Sequence, residues 1–180
     1  MAEVSVRPAV RDDAAEIARI QVDTWRIAYP NLLPEAVLAG LSAERNEPVW
    51  RAAITQPPSP RHHVLVAVEG DWRVGFAAFG PADDLEPADP EPDTTVAIAP
   101  MLVEPRWGRR GHGSRLLAAT VAHARGDGMT RAIAWILEGD TPSREFYVSA
   151  GWAPDGLARA LDTGFGELRE IRLHASLHDD

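Results

Sequence analysis

The stretch Val103-Glu104-Pro105-Arg106-Trp107-Gly108-Arg109-Arg110-Gly111-His112-Gly113-Ser114-Arg115-Leu116-Leu117 runs from an apolar strand-like segment through glycines into an amphipathic pattern. Glycines let backbone approach a ligand closely and adopt conformations a side chain forbids. Free N–H groups at the start of the following helix then face that ligand, and the helix dipole adds partial positive charge. Arg109 and Arg110 bring two further positive charges to the same place. Together, Arg109, Arg110, Gly111, His112, Gly113 and Ser114 form a candidate cradle for a pyrophosphate. The glycines alone fit better with a tight turn capping an ordinary helix, and His112 with a variable loop position. There is no Gly-Lys-Ser/Thr ending and no three-glycine dinucleotide spacing, so this is neither a Walker loop nor a dinucleotide fingerprint.

The elements around this stretch follow from periodicity. Val4–Arg7 alternates as a short strand. Asp13-Ala14-Ala15-Glu16 resembles a capping box, followed by Ile17, Ile20, Thr24 and Ile27 on one helical face. Tyr29-Pro30-Asn31 ends that helix. Short helices are predicted from Pro34 and through Trp50. Val64–Val68 and Val74–Phe79, with Gly70-Asp71 between them, predict an antiparallel hairpin. Residues 81–93 hold six acids, four prolines and no basic residue, which predicts an exposed loop. Val96–Val103 is strand-like despite Pro100, which cannot donate to a ladder and so implies a bulge, a split or an unpaired stretch. A helix over Gly111–Arg125 with Gly126 just past it, a strand over Ala132–Leu137, a helix capped by Thr141-Pro142 and closed by Gly151, and a last strand over Glu167–His174 complete the pattern. The expected fold is α/β: one domain over residues 1–180, with a mixed sheet and helices on both faces.

The order strand, Arg-Arg-Gly-His-Gly, helix, strand, then Glu138-Gly139-Asp140-Thr141-Pro142-Ser143-Arg144-Glu145-Phe146-Tyr147-Val148-Ser149-Ala150-Gly151-Trp152 resembles the GNAT acetyltransferases. The match is specific over about residues 94–152. More loosely, Val22–Tyr29 followed by Leu32-Leu33-Pro34 resembles the first two helices of small bacterial members. The resemblance implies a mostly antiparallel sheet whose parallel fourth and fifth strands splay. It implies acetyl-CoA as cosubstrate, with its pyrophosphate on the glycine loop. Backbone of Met101, Leu102 and Val103 would meet the pantetheine and the thioester oxygen, and Asp140, Ser143 and Phe146 would line the arm. Tyr147 would sit near the sulfur and protonate the thiolate, although it also fits a core aromatic. Three positions depart from the family pattern. Gly108 stands where Gln or Arg is usual, Asp140 where Asn is common, and Ala97 about where many members place a catalytic glutamate. Glu138 or the acids of the 83–93 loop are then candidates for the general base; Glu138 equally fits a surface turn. Trp25 and Tyr29, one helical turn apart, fit either an aromatic wall for the acceptor or plain core.

The activity implied is direct acetyl transfer to a primary amine of a small molecule. A peptide N-terminus as acceptor, another acyl group, or a CoA-binding module without catalysis remain alternatives. The formal net charge of −9 repels phosphate backbones and argues against nucleic acid, while attracting cationic amines; it also serves solubility alone. The absence of cysteine excludes disulfides and thiolate chemistry, and suits the cytosol. The six histidines show no metal spacing, so no metal is expected. No apolar run approaches the roughly 20 residues of a membrane helix, and Met1–Ser5 lacks the pattern of a signal peptide. A homodimer is an expectation from relatives alone.

Overall fold

The computed structural model describes residues 3–178; Met1 and Ala2, which open the stretch read for a signal peptide, lie outside them. In chain order the elements are β1 (Val4–Pro8), α1 (Ala14–Ala28), α2 (Glu35–Ala39), α3 (Ala43–Thr55), β2 (His63–Glu69), β3 (Trp72–Pro81), β4 (Thr95–Val103), α4 (His112–Gly126), β5 (Arg131–Leu137), α5 (Thr141–Ser149), β6 (Ala153–Asp162) and β7 (Glu167–Ser176). The strands form one sheet in the order β1-β2-β3-β4-β5-β7-β6. The β4–β5 pair is parallel and every other pair antiparallel.

Strand alternation sends side chains to two faces, and each face has its own core. On one, Leu65, Ala67, Val74, Ala77 and Phe79 pack with Leu116 and Leu117 of α4 and with Tyr147 of α5. On the other, Phe76 packs with Ile17 and Ile20 of α1 and Trp50 of α3. The mixed sheet with helices on both faces is therefore as expected.

Proline decides the shape of β4. Between the β3–β4 pairs Phe79–Ile98 and Ala77–Met101, β4 advances three residues while β3 advances two. Ala99 and Pro100 occupy that bulge, where the missing proline N–H costs no ladder bond. On its other edge β4 pairs with β5 only from Thr95–Arg131 to Ile98–Ala134. β5 itself continues to Leu137, paired on its far side with β7. The two parallel strands thus separate beyond Ile98.

Several local expectations are corrected. Asp13 holds the cap position of α1, but its side chain does not cap the helix: it is fully buried and accepts hydrogen bonds from Arg7, Arg73 and the Val10 N–H. Ile27 is exposed, because the buried face of α1 ends at Thr24. Gly126 is the last residue of α4 rather than the one past it, and Gly128 takes the left-handed turn. The cap of α5 is Asp140, whose side chain accepts from the Ser143 N–H, one residue earlier than Thr141. β6 was not expected, since Pro154, Asp155 and Gly156 break the strand pattern at its start; there the β6–β7 register also shifts.

The acidic 81–93 segment is stapled rather than free. Asp89 accepts two hydrogen bonds from Arg172, one of them 2.8 Å, while the Arg172 Nε–H binds Asp155 at 2.6 Å. The side chains of Arg172 and Asp89 are 2% and 5% exposed. The Arg172 hydrogen bonds hold the Asp89 carboxyl at a pKa of about 2 against the opposing effect of burial, helped by the Glu86 N–H and the Arg172 and Arg131 charges. That value lies below the unfolded pKa of about 3.9. The stabilisation is therefore complete above about pH 4 and is lost as pH falls toward 2. Asp89→Asn, which leaves the buried Arg172 with Asp155 as its remaining anion, should cost on the order of 2 kcal/mol in urea unfolding at pH 7. The variant should also lose less stability than wild type between pH 4 and 2. A variant as stable as wild type at pH 7 contradicts this account.

Candidate active site

A cavity of about 700 Å³ opens where β4 and β5 part. Its walls come from four places: Met101–Val103 of β4, the loop and first residues of α4, the segment 139–147 at α5, and the end of α1 with the residues after it.

The wall at α4 is built by backbone. Glu104 donates its N–H to Val74 O at 2.9 Å, and a single turn follows in which Gly108 N–H meets Pro105 O at 3.0 Å. Arg109 and Gly111 then take positive φ, 61° and 79°. Glycine bears this without strain, whereas Arg109 bears it at some cost. The first intrahelical bond belongs to Arg115, which donates to Gly111 O, so the N–H groups of His112, Gly113 and Ser114 have no helical acceptor. A Cβ on Gly113 would stand 3.2 Å from the Phe146 ring, so that glycine lets α4 and α5 approach. Gly108, Arg109, Gly111, Gly113 and Ser114 all line the cavity. Such a helix start has the geometry and field that would suit an anion.

The β4 wall is set by ladder parity. Glu104 N–H points to β3, and antiparallel alternation then directs Leu102 N–H the same way. The N–H groups of Met101 and Val103 face the opposite edge, the one β5 has left. Two backbone donors thus border the opening, and all three residues line the cavity.

α5 supplies the phenol. Tyr147 is 5% exposed, lines the cavity, and packs against Trp152 (ring centroids 4.9 Å) and Phe146 (5.4 Å). Gly151, at φ 90°, turns the chain so that Trp152 N–H reaches Tyr147 O at 3.0 Å and seats that packing. Among the described residues the Tyr147 hydroxyl makes no hydrogen bond. Burial raises its pKa, and the charge of Asp140 raises it further, so the phenol is protonated at neutral pH. Asp140 is itself buried at the cavity wall and accepts from Tyr29 OH at 2.7 Å, Ser143 OH at 2.6 Å and Ser143 N–H at 3.1 Å. Burial, then the Asp140 charge and hydrogen bond, also raise the Tyr29 pKa.

Not every candidate residue reaches this cavity. Arg110 points away, bonded to Glu69 at 3.1 Å and laid over the Trp107 ring. His112 lines the cavity but is only 1% exposed, its Nε2 held by Glu69 at 2.8 Å. Glu69 ends β2, so this pair fastens the loop to the sheet rather than offering both side chains to a ligand. Glu138 is exposed and paired with Arg169 at 3.0 Å, outside the cavity lining. The acids of the 83–93 loop lie outside it too; Asp84, Asp89 and Glu91 are bonded to Arg159, Arg172 and His178. Trp25 touches Tyr29 (ring centroids 6.4 Å), yet only Tyr29 lines the cavity. Thr24, Ala28 and Leu32, which the sequence did not mark as site residues, line it as well. Among the described residues no three His, Asp or Glu side chains are grouped to hold a metal ion.

The family model for the acetyltransferase (GNAT) family matches residues 16–152. An N-acetyltransferase of Bacillus subtilis, YuaI, described as uncharacterized, is 31% identical over 157 residues, 86% of this chain and 82% of that protein. Among solved structures, yncA of Salmonella typhimurium with its cofactor acetyl-CoA superposes with a TM-score of 0.71 at 18% identity, covering 98% of this chain and 95% of that one. The paia N-acetyltransferase of Thermoplasma acidophilum in complex with coenzyme A gives 0.72 at 11% identity, covering 97% and 99%. The structural likeness speaks for the fold, while the family match runs through most of the chain and the Bacillus relative spans it at 31% identity. The chain belongs to the GNAT family of acetyltransferases.

Proposed function

We propose that this enzyme transfers the acetyl group of acetyl-CoA to a primary amine of a small molecule by direct attack on the thioester. The observation that carries the reading is one continuous cavity lined by the α4 N-terminus, the open edge of β4 and the Tyr147 phenol. Its volume lies within the range usual for small-molecule sites. Thioester aminolysis asks for three things: a seat for the cosubstrate, stabilisation of the oxyanion, and a proton for the leaving thiolate.

The N–H groups of His112, Gly113 and Ser114, with Arg109 beside them, would take the pyrophosphate. The open edge of β4 would pair with the pantetheine amides as a strand pairs, and its Met101 or Val103 N–H would meet the thioester oxygen. One such donor is typically worth about 3 kcal/mol in the transition state. Tyr147 would donate to the sulfur as it departs. The raised pKa keeps the phenol protonated, so it enters the reaction as a donor.

The cosubstrate seat is tested through stability. Acetyl-CoA at a hundredfold excess over its Kd should stabilise the protein by about 2.7 kcal/mol. Ser114→Glu is the informative variant. An acid in the first turn of a helix favours the helix dipole, so the fold should be unharmed. The same charge at the exposed start of α4 should abolish the acetyl-CoA shift in melting temperature. A full shift in Ser114→Glu would put the pyrophosphate elsewhere, and no shift in wild type would remove the cosubstrate claim.

The phenol is tested through rate. Tyr147→Phe keeps the ring against Trp152 and Phe146, and removes a hydroxyl that has no hydrogen-bond partner among the described residues. Turnover in single-turnover assays should fall about 10²–10⁴-fold with the Michaelis constant nearly unchanged. Equal single-turnover rates for the variant and wild type would leave Tyr147 a packing residue.

A further inference from the structure

Among the described residues, Asp140 is the one acidic side chain lining the cavity. It is 6% exposed and forms no ion pair; its three hydrogen bonds come from neutral donors, Tyr29 OH, Ser143 OH and Ser143 N–H. Burying an anion without a cation is costly unless hydrogen bonds or a partner offset it. The helix cap accounts for the Ser143 N–H alone. It does not account for Tyr29, which comes from 111 residues away to put its phenol on the same carboxylate.

A second observation stands beside it. The Thr24 hydroxyl is buried without a hydrogen-bond partner, and Thr24 lines the cavity one turn before Ala28, on the face of α1 that leads to Tyr29. The neighbouring wall is formed by Ala28 and Leu32, with Asn31 beside them. A carboxylate flanked by phenol and hydroxyl oxygens fits a group with several N–H donors, no acceptor and a positive charge. An ammonium has those properties.

We propose that Asp140, oriented by Tyr29, receives the ammonium group of the acceptor and takes its first proton, so that the acceptors are primary alkylamines that arrive as cations. The inference rests on the acetyl-transfer reading above. One N–H bond of the ammonium breaks and its proton passes to the Asp140 carboxylate. The freed lone pair forms the C–N bond to the thioester carbonyl carbon. The C–S bond then breaks with its electrons going to sulfur. The thiolate takes a proton from the Tyr147 hydroxyl, which regains one from the nitrogen, and Asp140 releases its proton to solvent. The products are an amide, a thiol and one proton. Asp140, Ser143 and Tyr147 follow one side of α5, and helical side chains lean toward the helix N-terminus. Carboxylate and phenol therefore border one space, and the charge of Asp140 is felt at both Tyr147 and Tyr29.

Asp140→Asn removes the charge and keeps the cap: its one carbonyl oxygen can accept the Ser143 N–H, while its NH2 faces the Tyr29 and Ser143 hydroxyls, which can turn to accept from it. Wild type and variant are compared in three readouts: the melting shift with acetyl-CoA, the further shift when benzylamine or other primary alkylamines are added to CoA-loaded protein, and kcat/KM on those amines. The variant should keep the acetyl-CoA shift, lose the amine shift, and fall about 10²–10⁴-fold in kcat/KM. An amine shift and kcat/KM equal to wild type would overturn the assignment, as would wild-type turnover confined to arylamines that are neutral at assay pH. Loss of the acetyl-CoA shift already in wild type would instead strike the acetyl-transfer reading on which it rests.

Discussion

The separation of β4 from β5 beyond the Ile98–Ala134 pair is the constraint on which the site depends. A parallel pair that stayed together to its ends would leave neither a cavity nor free backbone donors. Just past that pair, Ala99 and Pro100 form the bulge against β3, where the missing proline N–H costs no ladder bond. The extra β4 residue in the bulge then resets parity, so that Met101 and Val103 turn their N–H groups to the opened side. α5 leaves the end of β5 and lays Tyr147 along the gap, and Gly151 with Trp152 keeps it there. Backbone donors, phenol and helix terminus meet because two strands stop pairing after four residue pairs.

Buried charge is used in two distinct ways. Asp13 and Asp89 are enclosed with arginines, two around Asp13 and two buried ones, Arg172 and Arg131, on Asp89. Burial pushes the Asp13 carboxyl up, but hydrogen bonds from Arg7, the Val10 N–H and Arg73 outweigh it and hold the pKa at about 2. Those two carboxylates are saturated and serve as clamps between segments. Asp140 receives only neutral donors and faces the cavity. The contrast separates a structural carboxylate from one left able to meet a ligand.

What sequence made legible was local. The glycine loop before α4, the helix from Thr141 to Gly151 and the two strands around them show in neighbouring residues, because turns, caps and periodicity are short-range physics. Partners far along the chain left no such signal. Arg110 and His112 read as ligands, and their side chains bond Glu69, some forty residues upstream. Glu138 read as either a base or a surface turn residue, and it pairs with Arg169. Asp13 takes the cap position as read, but its carboxylate turns to Arg7 and to Arg73, which nothing nearby announces. The Tyr29–Asp140 bond spans the chain and leaves no trace in either neighbourhood. β6 was hidden because its start carries proline and glycine, and only its pairing with β7 makes it a strand.

The strand order has its own effect on the unfinished chain. β7 enters the sheet between β5 and β6, although β6 comes first in sequence. A chain ending before Glu167 has β5 without its antiparallel neighbour from Arg131 to Leu137. Beyond Ala134, β4 has already turned away from it. Trp135–Leu137 would then be an apolar strand segment with both edges open, a ready template for pairing with another molecule. The opening that admits a ligand in the finished enzyme thus makes the last strand a guard against aggregation. Nascent or clipped chains lacking it are the species most exposed to that fate.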